Sequence, residues 1–238
     1  EDSRLGLYGA FGYDLVAQVE SIRPAVARDP ADRELVLYLP DQLVIVDHAR
    51  GRAERIAYEF VVGAARTHGL PREHVPVERG PERAPRLDAP DVETFLAGVE
   101  AAKEAFARGD LFEVVLSQTF RLPTEEAPSV LFDRLRERNP APYGFLLSLG
   151  EGEHLVGASP EMFVRVEAGR IETCPIAGTI ARGSDPLEDA DRIRRLLVSE
   201  KDEAELTMCT DVDRNDKSRV SEPGSVRGCA SVEWQITV

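Results

Sequence analysis

Cysteine is scarce, and the few that occur form no recognisable framework. Cys174, Cys209 and Cys229 are an odd number at wide spacings, with no paired-cysteine metal motif. That pattern argues against disulfides and for reduced thiols in a cytoplasmic setting. The four histidines, His48, His68, His74 and His154, have no partner at metal-ligand spacing and no nucleophile motif beside them. No G-x-x-x-x-G-K loop is present, which disfavours a nucleotide enzyme. No apolar run reaches bilayer-spanning length, and no internal repeat or low-complexity tract occurs. A basic, apolar leader is also missing, and the first residue is Glu1, so the start reads as internal.

What is present is an ordinary globular composition over 238 residues, 42% hydrophobic and 30% charged, enough for one large α+β unit. The net charge of −14 disfavours nonspecific nucleic-acid or membrane binding, because a phosphate surface would repel the chain. An anionic substrate stays possible where a divalent cation reverses the local field.

Along the chain, Gly6, Gly9 and Gly12 among Leu5, Tyr8, Phe11 and Val16 suit a strand or turn packed closely on neighbouring backbone. Short apolar runs at 35–39 and 43–46, then Ile56, Tyr58 and Phe60, predict a meander of strands over 1–65. Five prolines between 66 and 90 predict an extended surface connection. Phe95, Val99, Ala102 and Phe106 recur at helical spacing between a cap at Asp91 and a stop at Gly109.

Beyond that helix, 112–120 is β-rich, 130–138 reads as helix, and 143–149 with 155–156 as strands around a glycine turn. Segments 163–166 and 170–176 flank Ala168 and Gly169 as a hairpin. Ala190, Ile193 and Leu197 mark another helix, and strand-rich runs mixed with helices predict an α+β fold.

Several residues could carry chemistry. Glu161 follows Ser159 and Pro160 between apolar strand runs, where a carboxyl could be desolvated and act as a general acid, or be a solvated turn residue. The turn Pro175 to Thr179 could aim backbone N–H groups at a ligand oxygen, or be a plain tight turn. Ser199 and Asp202 resemble a capping box that starts a helix, with Asp202 and Glu205 on one face. Their oxygens could share Mg²⁺, or serve only the helix terminus and the solvent. Asp211, Asp213, Asn215 and Glu222 mimic a calcium loop, but Asp216 replaces its glycine, Ser218 its apolar residue, and Pro223 follows at once.

Six blocks change the balance of these alternatives when taken in order: GLYGAFGYDLV, GDLFEVVLSQTF, NPAPYGF, GASPEMF, TCPIAGTIARG and EKDEAELTMCTDVDRNDKSRV. Together they resemble the chorismate-binding enzymes, in the anthranilate synthase branch, over nearly the whole chain to about Val226. The last stretches are most similar to the form in which the synthase is fused to a glutamine amidotransferase. The resemblance implies two mainly antiparallel sheets packed as a sandwich with outer helices. It divides the chain into first strands at 1–65, the proline-rich connection at 66–90, a partial chorismate-binding domain at 91–226 and a non-matching tail at 227–238.

By the same resemblance, Glu161 is the acid that protonates the departing C4 hydroxyl of chorismate, and Gly178 and Thr179 contact chorismate. Glu205 is a carboxylate of the Mg²⁺ site, and Asp202 stands where another is common, one methylene shorter. Pro142, Tyr143 and Gly144 belong to part of a tryptophan feedback site. Ala177 replaces the lysine of aminodeoxychorismate synthases, and Glu113 replaces the lysine that activates water in isochorismate and salicylate synthases. Both departures favour ammonia as nucleophile and anthranilate as product; a product that keeps its pyruvyl group, or a noncatalytic binding domain, is the alternative. The tail RGCASVEWQITV departs from the family, as a frameshift, early stop or partial gene would produce, so a fragment inactive alone is expected. A homo-oligomer stays open.

Overall fold

The structure is a computed structural model, and it describes residues 2–22, 32–70 and 91–228. It divides into two units, residues 1–124 with 147–154, and residues 125–146 with 155–238. The boundary runs through one β-hairpin, whose tip groups with the first unit. Among the described residues, no helix is long and apolar enough to cross a membrane.

In the first unit the glycine-rich start forms β1, Tyr8–Phe11, which pairs antiparallel with β2, Leu35–Tyr38. Next, β3, Gln42–Asp47, pairs with β4, Arg52–Ala57, in a register that sets Leu43 against Ile56 and Val46 against Ala53. Asp47 closes their turn by accepting from the Arg50 backbone N–H at 2.9 Å and its guanidinium at 2.7 Å. A short ladder of β5, Val61–Val62, and β6, Ala65–Arg66, follows, so the strands expected over 1–65 form three separate two-stranded ladders instead of one continuous meander.

Helix α1, Val92–Arg108, begins where the Asp91 side chain accepts from the Glu93 N–H and ends at Gly109, left-handed at φ 76°. These are the ends that the cap and stop residues predict, because each satisfies a backbone group the helix leaves orphaned. The proline-rich connection falls almost wholly at 71–90, outside the described residues, as does most of the tail, 229–238.

The expected strand at 112–120 is not formed. Leu116 packs over Gly98 of α1 and the Gln118 amide donates to the Asp91 carbonyl at 3.5 Å, but no ladder includes these residues. β-rich composition supplies side chains that suit a pleated surface, whereas a strand also requires a neighbour with free N–H and C=O groups. Phe112, Val115 and Phe120 remain 73%, 82% and 68% exposed, an apolar surface that the described residues leave uncovered.

The two units share β7, Tyr143–Gly150, and β8, Glu153–Ser159, joined by Glu151 and Gly152 at φ 54° and 75°. Two consecutive left-handed residues make the tight turn that matches strand twist. In the first unit, Arg33 fastens the hairpin tip by donating to the Leu149 carbonyl at 2.5 Å and pairing with Glu153.

The second unit opens with α2, Pro128–Arg138, whose Phe132 ring lies against Gly144 of β7. Ala168 and Gly169, at φ 48° and 76°, turn β9, Arg165–Glu167, into β10, Arg170–Glu172, as the sequence predicts but with shorter strands. Helix α3, Pro186–Leu197, has Asp185 as its cap, accepting from the Leu187 and Glu188 N–H groups at 2.9 Å. Helix α4, Glu200–Ser218, starts at Ser199 and carries Glu200, Asp202 and Glu203 in its first turn, where the helix dipole favours negative charge. It continues through 211–218, so the first eight positions of the calcium-loop mimic are helical.

All strands among the described residues pair two by two, and none of these residues is buried. Helices and strands are mixed, as α+β requires, and many apolar side chains still face outward.

Candidate functional site in the second unit

Every candidate site residue, Pro142, Tyr143, Gly144, Glu161, Gly178, Thr179, Asp202 and Glu205, falls in the second unit. Each is positioned by a local device. Strand β8 ends at Ser159 because Pro160 cannot donate to a ladder. The Ser159 hydroxyl then staples the next step of the chain, donating to the Glu161 carbonyl at 3.0 Å and accepting from the Glu161 N–H at 3.2 Å. Glu161 therefore has a fixed backbone, while its carboxyl is exposed and has no partner among the described residues. The desolvation that its sequence position suggested is not supplied by its present neighbours.

From β10 the chain runs through Thr173 to the turn at Ile176–Thr179. The Thr173 hydroxyl oxygen is buried without a hydrogen-bond partner. Gly178 is left-handed at φ 81°, and a Cβ built there would stand 2.9 Å from a Leu196 methyl and 3.1 Å from Cβ and Cγ of Asp202. No other residue type allows both that backbone conformation and so close an approach. The Gly178 turn and the first turn of α4 are thereby in contact.

Two charged residues clamp the far end of the turn to α3. Arg192 donates to the Ala181 carbonyl at 2.9 Å and bonds the Arg182 carbonyl, while Asp189 accepts from the Gly183 N–H at 2.8 Å and from Arg182. The Arg182 guanidinium and then the Gly183 N–H hold the Asp189 carboxyl down to about 2. Hydrogen bonds from Ser184, with Arg192 adding, hold Glu188 down to about 2. Both are ionised at neutral pH, so the clamp is charge-assisted.

Asp202 is anchored from two sides. Its N–H donates to the Ser199 hydroxyl at 3.3 Å, its Cβ and Cγ adjoin Gly178, and its side chain is 21% exposed. Hydrogen bonding with Ser199 and the neighbouring Lys201 hold its carboxyl below the usual range. Glu205 follows one turn on, at 42% exposure. The Lys201 ammonium lies 2.6 Å from Glu205 and 3.3 Å from Asp202, so one cation already serves both carboxylates.

This pair fits a magnesium ion in donor chemistry: hard carboxylate oxygens from one helix, reached together by a single positive group, with Glu205 still 42% exposed to water. Among the described residues no group of three or more His, Cys, Asp or Glu side chains that could hold a metal ion occurs. An open surface concavity on α4, lined by Glu200, Glu203, Ala204, Thr207, Met208 and Asp211, involves neither Asp202 nor Glu205.

Pro142, Tyr143 and Gly144 stand together where β7 begins beside Phe132. Ala177 lies in the same turn as Gly178, whereas Glu113 is an exposed residue of the first unit. Sequence patterns did not reveal Ser159, Lys201, Asp189 or Arg192. Their roles depend on which loops meet, although Lys201 is four residues from Glu205, a spacing that pairs opposite charges on a helix.

The sequence profile described as chorismate binding enzyme matches residues 1–232. The chain is similar to an anthranilate synthase of Azospirillum brasilense, 55% identical over 235 residues, 95% of this chain and 31% of that protein. It is 34% identical to an anthranilate synthase component 1 of Streptomyces coelicolor, over 93% of this chain and 48% of that one. A crystal structure of anthranilate synthase component I from Streptococcus pneumoniae superposes with a TM-score of 0.71 at 26% identity, covering 92% of this chain and 52% of the other. The chain thus spans between about a third and a half of the length of these relatives. With a family profile matched across almost all of its residues, this chain belongs to the chorismate-binding enzymes.

Proposed function

We propose that this chain is part of an anthranilate synthase, carrying the proton donor, the substrate turn and one portion of the cation site. The observation that supports this reading most is the packing of Gly178 against Asp202, which sets a substrate-contacting turn beside carboxylates suited to a cation. In this reading chorismate lies against Gly178 and Thr179. Ammonia adds at C2, the C4 hydroxyl leaves as water with a proton from Glu161, and loss of pyruvate gives anthranilate. Asp202 and Glu205 would hold Mg²⁺, which when bound supplies charge stabilisation and a template for the substrate carboxylate.

The remaining groups belong to a longer polypeptide, in which the paired strands join two mainly antiparallel sheets packed as a sandwich. The exposed apolar residues of 112–120 support that placement, since they suit a further layer. A glutamine amidotransferase, as a domain of the same chain or as a separate subunit, supplies ammonia in the cytoplasm, and the fused arrangement is the one favoured. In support, the Azospirillum brasilense relative is longer than the component 1 proteins, with 31% against 48% covered. Pro142, Tyr143 and Gly144 form part of a tryptophan site. Ala177 and Glu113, where related enzymes have lysines, support ammonia as the nucleophile.

The test joins this chain to the remaining residues of the Azospirillum brasilense relative and supplies chorismate, Mg²⁺ and ammonium. The chimera is expected to form anthranilate, read by its fluorescence, and the chain alone little or none. A folded chimera that converts chorismate to a different product, or not at all, would overturn the assignment.

A further inference from the structure

The Asp202 and Glu205 carboxylates are not waiting side by side as bare anions. Lys201, on the same first turns of α4, places its ammonium 2.6 Å from an oxygen of Glu205 and 3.3 Å from an oxygen of Asp202. We propose that Lys201 is a built-in placeholder cation, holding the two carboxylates together in the metal-free protein and yielding its position when a divalent cation binds. The inference rests on the cation-site reading above.

Three features suit that role. First, the lysine is the most exposed of the three, its side chain 77% exposed against 42% for Glu205 and 21% for Asp202, which Ser199 and the Gly178 turn hold in place. Second, an ion pair this exposed is weak, because water screens it and ordering a long side chain opposes it, so the ammonium can be displaced at little cost. Third, a lysine head is a compact point charge with rotatable donors on a flexible stem, able to bridge two oxygens without the planar fork an arginine would impose. Without it, two carboxylates one turn apart repel each other. With it, the pair is arranged before a metal arrives.

The placeholder also opposes the metal. A divalent cation must first break both ammonium contacts and then tolerate a positive head tethered to the neighbouring residue. Replacing the lysine with an uncharged side chain of similar length removes both penalties.

The test uses this chain and Mn²⁺ as the probe, with free Mn²⁺ followed by electron paramagnetic resonance. Lys201→Met is expected to bind Mn²⁺ about three- to tenfold more tightly than the unaltered chain. Lys201→Arg, which retains the charge, is expected to stay close to the unaltered affinity. Adding Glu205→Gln to Lys201→Met is expected to abolish the gain. Equal or weaker binding by Lys201→Met overturns the proposal. If Glu205→Gln alone still weakens binding in that case, the cation-site reading survives and only the lysine's role is lost. A gain that persists when Glu205 is replaced places the ion elsewhere and overturns both.

Discussion

Glu161→Gln is expected to lower anthranilate formation by the chimera about 10²- to 10⁴-fold while chorismate binding stays within about threefold. The substitution keeps the shape of the side chain and removes its acidic proton. Ser159 holds residue 161 through main-chain bonds on both sides, so the variant side chain starts from the same backbone position. Chorismate's C4 hydroxyl is a poor leaving group until protonated, and an amide cannot supply that proton. The loss should therefore appear in kcat with little change in KM, the pattern of an interaction made only in the transition state. A variant that retains kcat would assign the acid to another group. In this chain the Glu161 carboxyl is exposed, so the assay belongs in the longer protein, where further residues and bound substrate exclude water.

Gly178→Ala is expected to be nearly as damaging, for a different reason. At φ 81° an alanine pays about 1–2 kcal/mol for left-handed backbone. Its methyl would also stand 2.9 Å from Leu196 and 3.1 Å from two carbons of Asp202, an overlap worth roughly 1–3 kcal/mol unless something moves. What moves is either the turn proposed to contact chorismate or the carboxylate proposed to face a cation. In the chimera, chorismate KM should rise at least about tenfold, since 1.4 kcal/mol is a factor of ten. Gly152→Ala separates the two causes: it carries the same backbone strain at φ 75° with nothing within 4 Å of the added carbon. It should lower stability and leave KM unchanged. Equal KM for Gly178→Ala and the unaltered protein would show that the turn and Asp202 act independently.

The parts of this structure that could be read from sequence are those set by neighbours within a few residues. Asp91 and Gly109 delimit α1, Ser199 starts α4, and Ala168 with Gly169 turns a hairpin, because caps and turns satisfy local backbone groups. Strand 112–120 failed for the complementary reason. Its residues favour a pleated surface, but the choice of a ladder partner is nonlocal, and no described segment supplies one. The site shows the same division. The resemblance of six blocks singled out Glu161, Gly178, Thr179, Asp202 and Glu205, and local helical spacing placed the last two on one face. Contacts between loops distant in sequence decided the rest: Gly178 against Asp202, Arg192 on the Ala181 carbonyl, and Asp189 at Gly183.

The turn at Gly178 and the carboxylates of α4 are proposed to belong to one chorismate site. Isothermal titration of this chain with chorismate, with and without Mg²⁺, tests it most directly, using Glu205→Gln as the comparison. Binding is expected to be weak, to tighten with Mg²⁺ in the unaltered chain and to lose that dependence in the variant. Chorismate affinity indifferent to both Mg²⁺ and residue 205 would contradict it.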